Sequence, residues 1–400
     1  MPRYLCCSDL HLGAGADLGL EPGDRLREQA AVWQRIVFEA AERGCDALLF
    51  AGDAFHRNKP TPAELLAFAD PLVECEIPVF AINGNSHDFV GVGQAMAVDV
   101  VDALSDCFEL FTKPDVVVLP GGVALAMLPW APVSRIVAAQ DGGDRDEVNQ
   151  LAADLLLEVA RGLAARCADE HPGLPTFLMT HFSISGAALP SGLSIDMARE
   201  PILPLEDLEQ LGFEVIVAGH IHRPQMMESR IGGAMGPIFY CGSPAPLSFG
   251  EPGDHGFWVL EEKSTHFAAE FVPLASRPFI TIDVEAEAVL WASDEDDCHD
   301  AVEHLVGIDD LTDAFVKLRY AATEDEARRI DQGRVRQHIV DAGAYRVFIE
   351  PSVERAHRER GAVLDDAGTR VDQLAAYLAA IGTNGDVAPA MLERAGAYLA

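Results

Sequence analysis

The sequence predicts an α/β protein in which short, fully buried strands alternate with amphipathic helices. Three observations carry this reading. Six apolar runs rich in β-branched or aromatic residues recur over the first 240 positions, helical patterns lie between several of them, and a carboxylate, amide or imidazole follows five of the runs.

In chain order the runs are Tyr4 to Cys7, Asp46 to Phe50, Ile77 to Ile82, Thr176 to Met179, Phe213 to Ala218 and Pro237 to Tyr240. Apolar stretches of this length suit strands covered on both faces, because no solvent face imposes alternation. Between the first two, Leu26, Ala30, Trp33, Val37 and Ala40 fall at helical spacing over Arg25 to Arg43, and Gly44 stops the pattern. After the second, Thr61-Pro62-Ala63-Glu64 combines an N-cap, a first-turn proline and a capping-box glutamate, so a helix starts there. In α/β sheets the loops at the carboxyl ends of strands gather into one crevice. The polar residues occupy such loops: Asp9-Leu10-His11, Gly52-Asp53, Gly84-Asn85, Thr180-His181 and Gly219-His220-Ile221-His222.

Their chemistry points to two cations. Asp9 and His11 are two residues apart, as are His220 and His222, so an extended segment directs both members of each pair to one side. Asp53 follows Gly52, which allows a tight turn, and its two oxygens can bridge two ions. Imidazole, carboxylate and amide oxygen together suit manganese, iron or zinc better than calcium, and the lack of thiolate among them argues against structural zinc. Manganese is the expected ion. Two cations roughly 3.5–4 Å apart activate a shared water and neutralise charge growing on a phosphoryl oxygen, so phosphoester hydrolysis is the matching reaction.

This ordered set, extended by Ala54-Phe55-His56-Arg57 after Asp53 and by His87-Asp88, resembles the calcineurin-like metallophosphoesterases. Within them it is similar in particular to the SbcD-type nuclease subunits of SbcCD DNA-repair complexes. Gly52 to Pro62, His181 to Ala187, and Cys241-Gly242-Ser243-Pro244 running on to Phe249-Gly250-Glu251 favour that branch. The resemblance implies a metallophosphoesterase sheet sandwich flanked by helices, followed by a small α/β capping domain and a helical tail. It implies one metal held by Asp9, His11, Asp53 and His222, and a second held by Asp53, Asn85, His181 and His220, with Asp53 bridging. By the same resemblance His87 serves the leaving oxygen, Asp88 orients His87, and His56 assists exonucleolytic cutting. One position departs from the family pattern. Ser86 separates Asn85 from His87, so either a bulge absorbs the extra residue or His87 cannot take its family role.

Composition bounds the rest. With 49% hydrophobic residues, 400 positions build one large core and one smaller one, and no stretch reaches the roughly 18 apolar residues of a membrane span. Arg3 is the only early positive charge and Asp9 interrupts the first apolar run, so no signal peptide is expected and the location is cytoplasmic. The eight cysteines include no Cys-x-x-Cys, which favours reduced core thiols. A formal charge of −35 opposes DNA phosphate and is read as a strongly acidic, solubilising surface. DNA contact must then be local and metal-assisted. Arg57 and Lys59 flank His56 as candidate phosphate contacts or as ordinary solvated charges.

The ligand candidates fall within 1–275, and Pro273 to Pro278 reads as a linker. In 276–355, the runs Phe279 to Val284, Ala314 to Tyr320 and Tyr345 to Glu350 alternate with helical patterns at Asp294 to Val306 and Glu324 to Ala342. This module resembles a DNA-capping domain. Its arginines, Arg328, Arg329, Arg334, Arg336, Arg346, Arg355, Arg358 and Arg360, make it locally basic, although carboxylates such as Glu326 and Asp331 stand near. In 356–400, Val371, Leu374, Ala375, Leu378 and Ile381 form one apolar stripe and Met391, Leu392, Ala395, Tyr398 and Leu399 another. The resemblance makes these two helices a docking element for an SbcC-like coiled-coil ATPase; packing on the protein's own surface is the plain alternative.

The expectation is a two-metal phosphodiesterase, the nuclease subunit of an SbcCD-like break-repair complex, acting as exonuclease on DNA ends and endonuclease on single strands. Its expected partners are DNA, the ATPase and a second copy in a homodimer. Two alternatives stand beside it. A cyclic-nucleotide or other small-molecule phosphodiesterase uses the same ligands without the second module, and a non-catalytic DNA-end scaffold results if Ser86 disables His87.

Overall fold

The computed structural model describes residues 1–15, 23–85, 96–137, 144–195, 200–228, 236–264, 266–306, 310–354, 369–380 and 387–399. They divide into two compact units, one of Met1–Thr281, Asp310–Lys317 and Gly343–Val347, the other of Ile282–Asp309, Leu318–Ala342 and Phe348–Ala400.

The first unit begins with β1 (Arg3–Cys7), α1 (Asp24–Glu42), β2 (Ala47–Phe50), α2 (Pro62–Val73), β3 (Val79–Ile82), α3 (Ala97–Asp102) and β4 (Phe108–Phe111). It continues through β5 (Asp115–Leu119), β6 (Val123–Leu128), α4 (Val133–Ile136), α5 (Arg145–Glu170), β7 (Thr176–Thr180), β8 (Ser183–Ile184) and β9 (Ile202–Leu203). It closes with α6 (Leu205–Glu209), β10 (Val215–Ala218), β11 (Gln225–Met227), β12 (Ile238–Tyr240), β13 (Gly256–Glu262) and β14 (Phe267–Pro273).

Two six-stranded sheets result, ordered β14-β13-β1-β2-β3-β4 and β11-β12-β10-β7-β6-β5. β1 to β4 run parallel, as do β12, β10, β7 and β6, while antiparallel strands finish the edges. Strand alternation assigns the layers. Tyr4, Cys6 and Leu49 point inward against Met127, Phe177, Met179 and Phe239 of the other sheet. Leu5, Cys7, Leu48 and Phe50 point outward under Trp33, Ile36 and Phe68 of α1 and α2. Leu178, Ile216 and Tyr240 do the same beneath Leu156, Ala160 and Leu208 of α5 and α6. This is a sheet sandwich flanked by helices; the six apolar runs match β1, β2, β3, β7, β10 and β12, while β6, buried at every position, is not among the predicted strands.

Local chemistry explains where elements start and stop. Thr61 accepts from Glu64 N while Glu64 reaches back to Thr61 N, the capping box read from the sequence. β3 begins after Pro78 and β12 after Pro237, because proline offers no ladder donor. The longest helix, α5, is not among the predicted elements. Its leucines face all round, Leu156 and Leu163 buried but Leu151 and Leu155 exposed, so no single stripe announces it.

The second unit carries α7 (Ala286–Asp294), α8 (Cys298–Val306), α9 (Glu324–Arg329), α10 (Gln332–Asp341), α11 (Arg370–Ala380) and α12 (Val387–Leu399). Strands β15 (Phe279–Glu285), β16 (Phe315–Thr323) and β17 (Arg346–Glu354) form a three-stranded sheet in that order. The helix expected over Glu324 to Ala342 is two helices, since Asp331 leaves helical geometry and its side chain caps α10 by accepting from Arg334 N at 3.1 Å. Arg328 pairs with Glu324 and Asp325, and Arg334 with Asp296, so part of the basic surface is already matched by carboxylates. α11 and α12 lie against each other, while Arg355, Arg358, Arg360 and Ile381 fall outside the described residues. Among the described residues no helix is long and apolar enough to cross a membrane.

Trp33 is the anchor of the α1–α2 layer: it is fully buried, stacks on Phe68 with ring centroids 5.2 Å apart, and donates Nε1–H to Phe68 O at 2.8 Å. Trp33→Ala should lower unfolding stability by about 3–5 kcal/mol, read from the denaturant midpoint. A loss under about 1 kcal/mol would mean the layer repacks freely.

Candidate metal centre

Five parallel strands carry the ligand candidates, and each candidate stands just past the carboxyl end of its strand. Asp9 and His11 follow β1, Asp53 follows β2, Asn85 follows β3, His181 follows β7, and His220 and His222 follow β10. Backbone pairing persists beyond β1 and β2, with Asp9 N donating to Gly52 O at 2.9 Å and His11 N to Asp53 O at 3.1 Å. That ladder brings the first two ligand loops together.

The local backbone differs from the extended segments expected for the paired ligands. Asp9, His11, Asp53 and His220 have φ of 54°, 45°, 58° and 85°, and among the described residues only one other non-glycine, Asp313, has positive φ. Each left-handed residue costs on the order of 1–3 kcal/mol, and such conformations persist where the surroundings overdetermine them. The side chains of Asp9 and His11 still converge, with His11 Nε2 3.9 Å from Asp9 Oδ1. His220 and His222, in contrast, have different neighbours, Asn85 for the first and His11 for the second.

One atom organises the cluster. Asp53 Oδ2 lies 3.3 Å from His11 Nε2 and 3.5 Å from His181 Nε2, while Asp53 Oδ1 accepts from Asn85 N at 2.9 Å. Donor atoms of Asp9, His11 and His222 fall within 4.8 Å of one another, and so do those of Asp9, Asp53 and His181. His11 Nε2 and His222 Nε2 are 3.1 Å apart. His220 N donates to both Asp9 oxygens at 3.1 Å, and its ring Nδ1 lies 3.5 Å from Asn85 Nδ2. The oxygen and nitrogen of an Asn amide exchange by a flip, so the same pose can offer Asn85 Oδ1. The geometry therefore gathers Asp9, His11, Asp53, Asn85, His181, His220 and His222. His56 is exposed, its ring edge-on to His11 with centroids 5.7 Å apart. His87 and Asp88, with Ser86, lie outside the described residues. Arg57 pairs with the buried Glu64 at 2.9 Å, which commits its charge to the start of α2.

The donor set fits cations. His181 Nδ1 lies 2.6 Å from Ala51 O, which can only accept, so the proton sits there and Nε2 presents a lone pair. Buried, and without a hydrogen-bond partner among the described residues, that Nε2 faces a carboxylate oxygen. Two ring nitrogens on one tetrahedral ion at 2.0–2.1 Å would stand roughly 3.3 Å apart, close to the His11–His222 separation. Burial pushes the Asp9 carboxyl up, opposed by His181 and His222 and reinforced by Asp53. Burial pulls His181 down, but Asp53 and Asp9 outweigh it and raise the imidazole to about 9. The fold thus concentrates lone pairs and negative charge where a proton or a cation must sit.

Sequence reasoning gave no role to two carboxylates that touch the histidines from outside. Glu251 Oε1 is 2.9 Å from His222 Nδ1, and Glu200 Oε1 is 2.9 Å from His220 Nε2. Glu251 belongs to a stretch already noted for its resemblance. Glu200 carries no such signal, because it reaches His220 from a loop twenty residues upstream.

The calcineurin-like phosphoesterase family profile matches residues 2–224, more than half of the chain. The chain belongs to that family. The DNA double-strand break repair protein Mre11 of Haloferax volcanii is 26% identical over 351 residues, covering 86% of this chain and 66% of the relative. The Mre11 of Halobacterium salinarum is 24% identical over 291 residues, 71% of this chain and 63% of its own. The SbcD subunit of the nuclease SbcCD from Escherichia coli K12 is 26% identical over 264 residues, 63% of this chain and 62% of its own. The chain thus spans just under two thirds of the length of these relatives. A dimetal phosphatase of Danio rerio superposes on 69% of this chain and 97% of its own, at a TM-score of 0.46 and 11% identity, too loose a match to argue from.

In this phosphoesterase the metal loops pack so tightly that a single methyl group intrudes. A Cβ on Gly84 would stand 2.0 Å from Asp53 Oδ1 and 2.4 Å from Asp53 N. Gly84→Ala should weaken manganese binding at least about tenfold by displacing Asp53. Gly44→Ala, whose Cβ meets nothing within 4 Å, should bind as the parent does. Isothermal titration decides it: equal affinities for Gly84→Ala and the parent would remove Asp53 from the centre.

Proposed function

We propose that this chain is a two-metal phosphodiesterase serving as the nuclease subunit of an SbcCD- or Mre11-like break-repair assembly, cutting DNA at ends and in single strands. The observation that carries the reading is Asp53 Oδ2, set 3.3 and 3.5 Å from histidine nitrogens contributed by the two sheets. That placement supports a bridge. One ion would be held by Asp9, His11, Asp53 and His222, the other by Asp53, Asn85, His181 and His220. The names of the relatives support DNA as the substrate. Manganese is the ion we propose, and a second copy of the chain completes the assembly as a homodimer in the cytoplasm.

The ions, once bound, supply Lewis acidity at the phosphoryl oxygens and an activated nucleophile. The protein's own groups do the rest. Asp9 and Asp53, almost fully buried, fix where positive charge collects and keep bulk water from screening it. His56, exposed at the edge of His11, would meet the strand entering the centre. His87 delivers a proton to the leaving oxygen and Asp88 orients it. In this reading 1–275 is the catalytic domain, 276–355 caps DNA, and 356–400 docks a coiled-coil ATPase that supplies positive surface the chain lacks.

Manganese-dependent digestion of end-labelled duplex DNA tests the proposal. Asp53→Ala should abolish digestion, whereas His87→Ala should lose about 10²–10⁴-fold in turnover while keeping its metal by elemental analysis. Full activity in Asp53→Ala, or metal loss in His87→Ala, would overturn the assignment. Ending the chain at residue 365 removes α11 and α12, and should spare hydrolysis of an aryl phosphodiester while abolishing co-purification with the ATPase. Survival of partner binding would place the docking surface elsewhere, and an unfolded truncate would make the helices part of the folding unit.

A further inference from the structure

His220 and His222 stand two residues apart yet turn opposite ring nitrogens toward the centre. His222 directs Nε2 at His11, 3.1 Å away, and keeps Nδ1 against Glu251. His220 places Nδ1 beside Asn85 at 3.5 Å and keeps Nε2 against Glu200. A neutral imidazole carries one proton, and the nitrogen facing a carboxylate takes it, leaving the lone pair on the other. Each glutamate therefore selects a tautomer, and the two tautomers are opposite.

The carboxylates differ in how firmly they are held. Glu251 Oε2 accepts from Ser243 Oγ at 3.2 Å and from Leu247 N at 2.9 Å, and the side chain is only 10% exposed. Glu200 accepts from Ser183 Oγ through the same oxygen that meets His220, is 32% exposed, and borders a cavity of about 360 Å³ beside His181, Trp130 and Asn149.

We propose that Glu251 and Glu200 are positioning residues, each fixing one histidine in the tautomer a cation requires, and that they act on different ions. Glu251 sets His222 for the ion shared with Asp9 and His11. Glu200 sets His220 for the ion shared with Asn85 and His181. Because Glu251 is buried and doubly braced, its loss leaves His222 Nδ1 with no substitute. Water from the cavity can replace Glu200, so its loss costs less.

This inference rests on the two-metal reading, and one set of titrations separates the two. Full-length protein and the isosteric variants Glu251→Gln and Glu200→Gln are titrated with manganese against a competing chelator, and the melting temperature of each metal-free protein is recorded. The parent should bind two equivalents. Glu251→Gln should weaken one by about 100-fold, and Glu200→Gln should weaken one by about tenfold, with melting of the metal-free forms unchanged. The double variant should weaken both. A parent that binds fewer than two ions defeats the two-metal reading itself. A parent that binds two, with variants of equal affinity, overturns the positioning role alone; if the double variant weakens only one ion, the assignment to different ions fails. Should either Gln variant melt early, Ser243→Ala and Ser183→Ala remove the brace and keep the carboxylate, and should weaken the same ion by a smaller factor. Unchanged affinities there would also overturn the role.

Discussion

Everything in the first unit serves to hold one carboxylate oxygen between two sheets. Asp53 Oδ2 faces an imidazole that follows β1 on one side and an imidazole that follows β7 on the other. Removing a carboxylate from water costs several kcal/mol unless charge of opposite sign arrives. The cluster contains two such carboxylates, Asp9 and Asp53, with exposures of 0% and 1%. The site is therefore stable only as a pair: protein together with protons, or protein together with cations. Packing supplies the energy that keeps the metal-free arrangement from relaxing, since the inward faces of both sheets are closed by large apolar side chains such as Phe177, Phe239 and Tyr4.

The backbone bears a second cost in the same place. Four ligand residues sit in left-handed geometry, and the glycines beside them are there for room. A Cβ on Gly52 would meet His181 Nδ1 at 2.6 Å, and one on Gly219 would meet Ala51 O at 2.3 Å. Strain and crowding occur together because the loops leave β1, β2, β7 and β10 at full strand spacing and must turn inward within four residues to bring the candidate ligands within 4.8 Å. A sandwich whose parallel strands end on one rim makes such turns possible. A single sheet would hold only half the ligands.

Much of this was legible in the sequence. Each of the six apolar runs became a strand, because burial on both faces leaves a continuous hydrophobic signal, and short length with β-branched and aromatic residues favours strand over helix. The positions of the candidate ligands were equally readable, since each polar residue follows a run. The geometry within the loops was not. Spacing of two suggested extended backbone at Asp9 and His11, whereas the turn needs positive φ, a choice dictated by the neighbouring loop rather than by the residues themselves. Glu200 escaped notice for a related reason, as its role exists only once β7 and β10 are adjacent. α5 escaped because its apolar residues cover the whole circumference. The break at Asp331 was marked by a good N-cap residue, yet helical periodicity on both sides concealed it.

The position of β13 governs how this protein is made. β1 lies between β2 and β13, pairing antiparallel with the latter through Arg3↔Glu261 and Cys6↔Trp258. The strand that presents Asp9 and His11 thus keeps an unpaired edge until residue 262 has been synthesised, although the last candidate ligand, His222, emerges forty residues earlier. At about 5–20 residues per second that interval lasts a few seconds. During it β1 has one edge without its antiparallel partner, the kind of edge that proteins ordinarily cover. Closure of the sheet behind Asp9 and His11 thus depends on a segment, Gly256–Glu262, that contributes no candidate ligand of its own.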